Sequence, residues 1–198
     1  SAARLDGFGG EIQVELDGLP KGVTASKGVI PAGQHSTVLM VSAPAAGDEA
    51  SVVTPFRVVG RGQANGRALT HVADPEERLR YLAVSNRPPD LTVTAEPLEV
   101  TIEPGKTANV TVAIRRANGF ESRVPVLVQN LPPGIIVKDF GLNGVLINEH
   151  ETVRTFTLEA SPRAAAAEQP LFAVGTVETS PTRTEHSSTP ITLKVKPS

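Results

Sequence analysis

The sequence contains no cysteine and no tryptophan, and it has one methionine and one tyrosine among its 198 residues. The absence of cysteine excludes disulfide bonds, thiolate metal sites and a cysteine nucleophile within this chain. A hydrophobic core must therefore be built from valine, leucine, isoleucine and phenylalanine. Since β-branched and aromatic residues are enriched in strands, this composition favours β-structure over helices.

Neither an excess of charge nor a long hydrophobic run is present. The 19 basic and 21 acidic residues give a net charge of -2, and without a basic surface we expect no nucleic-acid partner. No apolar run approaches the ~20 residues that span a bilayer, so we expect no membrane insertion. Ser1-Ala2-Ala3 lacks the basic and apolar regions of a signal peptide, which is typical of an excised piece of a larger protein.

Short segments of alternating apolar and polar residues predict β-strands. Leu98–Ile102 and Ala108–Arg115 alternate in this way, and Gly105 lies in a turn sequence between them. Further strands are expected at Thr37–Ser42 and, as equivalent strands of the two halves, at Ile12–Leu16 and Val124–Val128. With 17 glycines, 17 prolines and almost no helical periodicity, the pattern predicts an all-β sandwich fold.

An internal repeat organises the chain. Arg4–Val23 matches Arg116–Ile135 without a gap, at an offset of 112 residues (116 minus 4). Farther along, Phe56 matches Phe172 at an offset of 116 residues. The offset is then 115 residues, both for Val59-Gly60 against Val174-Gly175 and for His71 against His186. A period of this length matches a whole sandwich domain, so the sequence predicts two tandem immunoglobulin-like β-sandwiches.

The boundary between the two copies is predicted at the Pro88-Pro89 spacer, which gives domains 1–87 and 88–198. Projecting Leu91–Arg115 back by 112 residues lands before residue 4, so the first copy is expected to lack its first strands. An incomplete sandwich exposes a sheet edge. We expect Arg78–Val84 or a neighbouring molecule to cover that gap, the latter as a strand-mediated dimer.

The repeated segments resemble a known group of modules. Arg4-x-x-Gly-Phe, Gly18-Leu-Pro-x-Gly-Val and Ile30-Pro-Ala-Gly-Gln are similar to bacterial immunoglobulin-like and fibronectin-like modules of large exported proteins. These occur notably in planctomycetes, with pre-peptidase C-terminal domains, and beside α-galactosidases. The second copy keeps Leu131-Pro-Pro-Gly-Ile but has Leu146-Ile-Asn-Glu-His in place of the third motif. The resemblance implies an extracellular or periplasmic accessory module.

The residues that could carry chemistry each have a simpler structural explanation. The histidines (His35, His71, His150 and His186) lack metal-ligand spacing, and Glu149-His150-Glu151 would alternate between the faces of a strand. The acidic residues near the spacer (Asp74, Glu76, Glu77 and Asp90) lack the spaced pattern of a calcium loop. Gly60–Gly66 differs from a dinucleotide-binding turn, and its Asn65-Gly66 predicts a hairpin. No catalytic, cofactor-binding or metal-binding residue is predicted, and no cofactor is expected.

The sequence therefore favours a non-catalytic role. We expect a structural spacer or protein-interaction module of a larger exported bacterial protein, whose partners are other domains of the parent chain or an unidentified protein. The alternative is an accessory carbohydrate-binding module of a secreted hydrolase. The repeated phenylalanines are expected in the core, which leaves few aromatic rings to stack on a sugar. An enzyme would need a pocket with paired titratable groups, and we expect none.

Overall fold

The computed structural model describes residues 1–5, 7–43, 52–73, 80–84, 87–138, 143–178 and 183–197. Within these ranges the chain forms strands and no helix, as the composition predicted. Two compact units are present, Ser1–Pro88 and Pro89–Ser198. The strands of unit 1 are β1 Ile12–Asp17, β2 Thr24–Ala25, β3 Gly28–Ile30, β4 Val41–Ser42, β5 Val52–Ala64, β6 Arg67–Val72 and β7 Arg80–Val84.

Unit 2 contains two sheets with one hydrophobic core. Its strands are β8 Leu91–Glu96, β9 Glu99–Ile102, β10 Thr107–Arg116, β11 Val124–Gln129, β12 Ile135–Val137, β13 Gly144–Ile147, β14 Val153–Ala160, β15 Ala167–Val177, β16 Thr184–Ser187 and β17 Ile191–Val195. One sheet has the order β12-β14-β10-β8, and the other has the order β13-β11-β15-β17-β9 with β16 also paired to β15.

Strict alternation along the strands of unit 2 explains how the core is filled. In β10, Val110, Val112 and Ile114 are at most 5% exposed, whereas the residues between them are half-buried. The same pattern occurs in β11 and β17, which belong to the other sheet. Buried side chains of both sheets form a single cluster, so the arrangement is of the β-sandwich type.

Unit 1 has a main sheet of five strands and a small separate sheet. The main sheet has the order β3-β1-β5-β6, with β7 paired to the first part of β5, and β2 pairs with β4. Four hydrophobic residues among the described ones are buried, namely Val14, Val23, Ile30 and Val59. The remaining apolar side chains of this sheet are half-buried or exposed.

Strand registers in the two units correspond position by position. Val14 pairs with Gly60 in unit 1, and Val126 pairs with Gly175 in unit 2. The neighbouring ladder places Gly60 opposite His71 and Gly175 opposite His186. These positions differ by the offsets of 112 and 115 residues that the sequence comparison gave.

The strand pairings show that one pair of residues matched between the two halves of the sequence does not correspond in the structure. Asp17 pairs with Arg57 and Gln129 pairs with Phe172, so Phe172 corresponds to Arg57. Phe56 corresponds instead to Leu171, at the same offset of 115 as the rest of the strand. The expected match of Phe56 with Phe172 was wrong because two identical residue types happen to lie one position apart. In a strand, that shift moves a side chain to the opposite face.

The expected role of Arg78–Val84 is also corrected. Its described part is β7, which pairs with the first half of β5 through Val52 and Val84. In unit 2, β17 pairs with the first half of β15 in the same way, through Ala167 and Val195. Strand β7 therefore takes the position that β17 has in unit 2, and it does not replace the strands that correspond to β8, β9 and β10.

Candidate functional site

An arginine at the end of β10 connects two loops of unit 2 through its side chain. The Arg116 guanidinium donates to the backbone carbonyl of Ser122 at 2.9 Å, of Glu151 at 2.7 Å and of Asn148 at 2.8 Å. Ser122 belongs to the loop before β11, and the other two belong to the loop between β13 and β14. Since the fork of a guanidinium is rigid and planar, Arg116 fixes the distance between these two loops.

Unit 1 contains the same arrangement around Arg4. Its guanidinium donates to the backbone carbonyls of Gln34 at 2.9 Å, of Pro31 at 2.7 Å and of Gly10. The guanidinium also lies 5.7 Å from the centre of the Phe8 ring, within cation–π range. Arg4 and Arg116 differ by 112 residues, so the repeated Arg-x-x-Gly-Phe sequence places a guanidinium in each unit. We name the two clusters the arginine corners.

Two backbone turns of the repeated segments also recur in both units. The N–H of Phe120 donates to the carbonyl of Ala117 and the N–H of Ile135 to the carbonyl of Pro132, at 3.0 and 3.1 Å. Phe8 with Leu5 and Val23 with Pro20 make the corresponding bonds, both at 3.0 Å. Gly7, Gly22, Gly119 and Gly134 all have a φ between 71 and 84°. The glycines of the motif are therefore required by the turn geometry.

A depression lies beside the Arg116 corner. Its lining includes Phe120, Glu121, Glu149 and His150 together with Arg116. Glu121, Glu149 and His150 are exposed, so water reaches their polar groups. No group of three histidine or acidic residues that could hold a metal ion occurs among the described residues.

The Glu149-His150-Glu151 segment does not gather its side chains. The Glu151 carboxylate accepts two hydrogen bonds from Arg154, at 2.8 and 3.0 Å, and one from the backbone N–H of Asn148 at 3.0 Å. These bonds, that of Arg154 first, lower the pKa of the Glu151 carboxyl. The carboxylate thus closes a turn, while Glu149 and His150 lie exposed beside it.

The corresponding histidines His71 and His186 have different surroundings. His71 is exposed, whereas His186 is half-buried and lies 3.4 Å from the Thr184 hydroxyl. Burial lowers the pKa of His186, and the negative charge of Asp90 opposes that shift. His35 is exposed like His71.

Gly175 marks a close approach of the two sheets in unit 2. A Cβ atom on Gly175 would lie 2.9 Å from the Leu91 side chain and 3.0 Å from the Val93 side chain, both in β8. At Gly60, the corresponding position, a Cβ would meet Ile12 at 3.3 Å and the His71 carbonyl at 3.8 Å within unit 1. The glycine of unit 2 is thus approached by a strand of the opposite sheet, whereas the nearest atom to Gly60 among the described residues belongs to Ile12 of the same sheet.

Aromatic side chains are mostly turned inward. Phe156 and Phe172 are at most 1% exposed, Phe120 packs against the core, and Phe8 and Phe56 are half-buried. The exception among the described aromatics is Tyr81 in β7, which is 60% exposed. Phe140 lies outside the described residues.

Of the acidic residues near the spacer, Asp90 is the one that the structure describes. Its carboxylate accepts a hydrogen bond of 2.9 Å from the Asn118 amide. Asp74, Glu76 and Glu77 lie outside the described residues.

The role of the two arginines is not evident from the repeated Arg-x-x-Gly-Phe sequence. The carbonyls that Arg116 binds lie 6, 32 and 35 residues from it, and no local pattern reveals such contacts. The signal that could have identified them is the recurrence of arginine at the first position of both repeated segments. Backbone carbonyls give this cluster a structural role, because every acceptor that the guanidinium binds is part of the main chain.

Comparison with known proteins gives no family. No protein-family model and no curated protein matches the chain. Among solved structures, the chain is similar to a protein of unknown function from Porphyromonas gingivalis W83, with 12% sequence identity, a TM-score of 0.30, and coverage of 94% of this chain and 85% of that one. Among the described residues, no helix is long and apolar enough to cross a membrane.

Proposed function

We propose that the chain consists of two copies of an immunoglobulin-like sandwich module, and that it is a non-catalytic spacer or protein-interaction segment of a larger exported bacterial protein. The observation that carries this proposal is the pair of arginine corners. In each unit a guanidinium binds three backbone carbonyls in two loops. Such an arrangement stabilises the end of a module and supplies no group for chemistry.

The strand registers support a duplication of whole modules. Corresponding pairs in β1·β5 and β11·β15 follow the offsets of 112 and 115 residues. The two arginines and the backbone turns of their repeated segments recur at the offset of 112. The resemblance to modules of exported proteins supports an extracellular or periplasmic location. Other domains of the parent chain, or a separate protein, are then the partners.

Calorimetry and ligand screening together test this proposal. Residues 88–198 produced alone are expected to unfold in one cooperative transition, at the temperature of the matching transition of the full chain. The full chain is expected to bind no oligosaccharide on a glycan array and to hydrolyse no glycoside or peptide in a substrate panel. Hydrolysis that persists after chromatography and is lost on substitution of residues in the depression would contradict the proposal.

A second candidate is an accessory carbohydrate-binding module, and the exposed ring of Tyr81 favours it. An exposed aromatic side chain can stack on the apolar face of a sugar ring. The prediction that separates the candidates is saturable binding to a polysaccharide that Tyr81→Ala abolishes. Phe120→Leu is the control, because this ring packs against the core of unit 2.

A further inference from the structure

One side of the main sheet in unit 1 carries a block of exposed apolar side chains where β5 pairs with β7. Pro55 lies opposite Tyr81, and Val53 lies opposite Ala83. Because directly paired residues of antiparallel strands share a face, these four side chains stand together. All four are exposed, Val53 by 66% and Tyr81 by 60%. We name this block the tyrosine face. A contiguous exposed apolar patch, unlike a single exposed residue, is typical of an interaction site.

Two charged side chains border the tyrosine face. Arg57 follows Pro55 by two residues on the same side of β5, and Asp17 of β1 lies directly opposite Arg57. Both are exposed. Within the described residues, neither side chain forms a hydrogen bond or an ion pair, whereas Arg61 and Glu15 on the same side of the sheet are paired at 3.4 Å. The border therefore offers one charge of each sign.

Unit 2 shows that the sheet does not require apolar residues at these positions. Three of the four counterparts are polar, as the strand registers show, namely Glu168 for Val53, Thr192 for Tyr81 and Lys194 for Ala83. The Lys194 ammonium is also paired with the Glu99 carboxylate at 3.0 Å. Positions that are polar in one unit and apolar in the other indicate a property of unit 1 and not of the shared strand pattern.

The exposure of the tyrosine face does not depend on strands such as β8, β9 and β10. In unit 2, β8 lies over the side of the sheet that contains Gly175. Gly60, its counterpart, alternates with Arg57 along β5 and therefore faces away from the tyrosine face. Strand β9 extends the sheet beside β17, and side chains of neighbouring strands stand next to each other and not above each other. Strands in these places would leave the tyrosine face open.

The surroundings of the Tyr81 ring favour a protein over a sugar as the occupant. A bound sugar needs polar groups near the stacking ring to fix its hydroxyls. The direct neighbours of Tyr81 on this face are Pro55, Val53 and Ala83, and all three are apolar. Tyrosine and arginine are also among the residue types that contribute most to the binding energy of protein–protein interfaces. An apolar surface with a bordering pair of charges therefore fits this face best.

We propose that the tyrosine face is the contact between two copies of this chain, related by a twofold axis. A twofold interface places one surface against itself, so that surface must be complementary to itself. The apolar block meets this requirement. Arg57 and Asp17 meet it as well, because antiparallel docking brings Arg57 of each copy to Asp17 of the other. The two sheets then pack face to face, as sheets do in a sandwich. This inference goes beyond the proposed function and does not depend on it.

Sedimentation equilibrium of the full chain measures the association. Six residues on each copy form a small interface, so we expect a dimer that depends on concentration. Tyr81→Glu brings two carboxylates together at the contact and should raise the dimer dissociation constant at least about tenfold. Leu69→Glu is the matched control, because Leu69 is 47% exposed on the other side of the same sheet, opposite Gly62. It should leave the constant unchanged. A chain that stays monomeric up to about 1 mM would refute the proposal.

An exchange of charges between copies tests the contact directly. Arg57→Glu and Asp17→Arg should each weaken self-association at least about tenfold, because like charges then face each other. A mixture of the two variants should form a heterodimer at least about tenfold tighter than either homodimer, since both contacts again join opposite charges. A change in the fold of a single copy cannot produce this recovery. Absence of the heterodimer would overturn the assigned contact.

Other outcomes would refute this inference and leave the proposed function standing. A dimer that Tyr81→Glu does not weaken, and whose β7 amides are protected from hydrogen exchange, would be paired along a strand edge. A monomer that binds a polysaccharide through Tyr81 would show that the face has a different occupant. Two separate modules in calorimetry would still support a spacer in the first case. Conversely, hydrolytic activity lost on substitution in the depression of unit 2 would contradict the spacer and leave the dimer unaffected.

Discussion

The Arg116 corner makes a strong prediction about the stability of unit 2. Its guanidinium forms three hydrogen bonds of 2.7–2.9 Å to backbone carbonyls, and the side chain is half-buried. A hydrogen bond contributes about 1 kcal/mol net, and more when one partner is charged and desolvated. Because water can partly replace these bonds, we take the lower figure, so Arg116→Ala should destabilise unit 2 by about 3 kcal/mol.

Differential scanning calorimetry of the full chain measures this effect. A loss of about 3 kcal/mol corresponds to a decrease in Tm of roughly 12 °C for a domain of this size. Arg116→Lys keeps the charge, but one ammonium cannot span three carbonyls in two loops, so it should recover less than half of the loss. Arg123→Ala is the control, because that side chain is exposed. A decrease below 2 °C for Arg116→Ala would refute the structural role of the corner.

Three further predictions concern unit 2. Gly175→Ala should destabilise by about 1–3 kcal/mol through overpacking, whereas Gly60→Ala should change stability by less than about 1 kcal/mol; urea unfolding of both variants compares them. His186 has a lowered pKa, so the unfolded chain binds more protons, and the contribution of this residue to stability is complete above pH ~6.5 and declines as the pH falls below it. His186→Gln should remove that part of the Tm change between pH 7.5 and 5.5, and His71→Gln should not. Phe156→Ala should destabilise by about 3–5 kcal/mol, as measured by chemical denaturation, and a loss under 1 kcal/mol would contradict the burial of the ring.

Local features of the structure were predictable from the sequence. Asn65 and Gly66 form a hairpin turn with φ values of 50 and 73°, and Gly105 has a φ of 74° in its turn. The strands expected at Ile12–Leu16 and Val124–Val128 are β1 and β11. Each of these depends on neighbouring residues alone, since turn residues and the alternation of side chains specify them directly.

Features that depend on distant partners were not predictable in the same way. A strand was expected at Thr37–Ser42, but only Val41–Ser42 forms one. In unit 2 the corresponding strand, β14, runs from Val153 to Ala160 and pairs with β10 along seven positions. No strand in the described part of unit 1 corresponds to β10, so the same kind of sequence lacks the partner that would extend it. Strand length here is set by pairing and not by the pattern of residues.

The burial of corresponding residues also depends on distant partners. Val58 and Ala173 occupy corresponding positions, yet Val58 is half-buried and Ala173 is 0% exposed, although valine is the larger and more hydrophobic residue. The alternation of each strand decides which side chains share a face, but the strands opposite decide whether that face is covered. In the main sheet of unit 1, Val58 and Gly60 lie on a face whose counterpart in unit 2 is covered by β8. The sequence of a strand thus specifies which side chains can be covered together, and the opposite sheet determines whether they are.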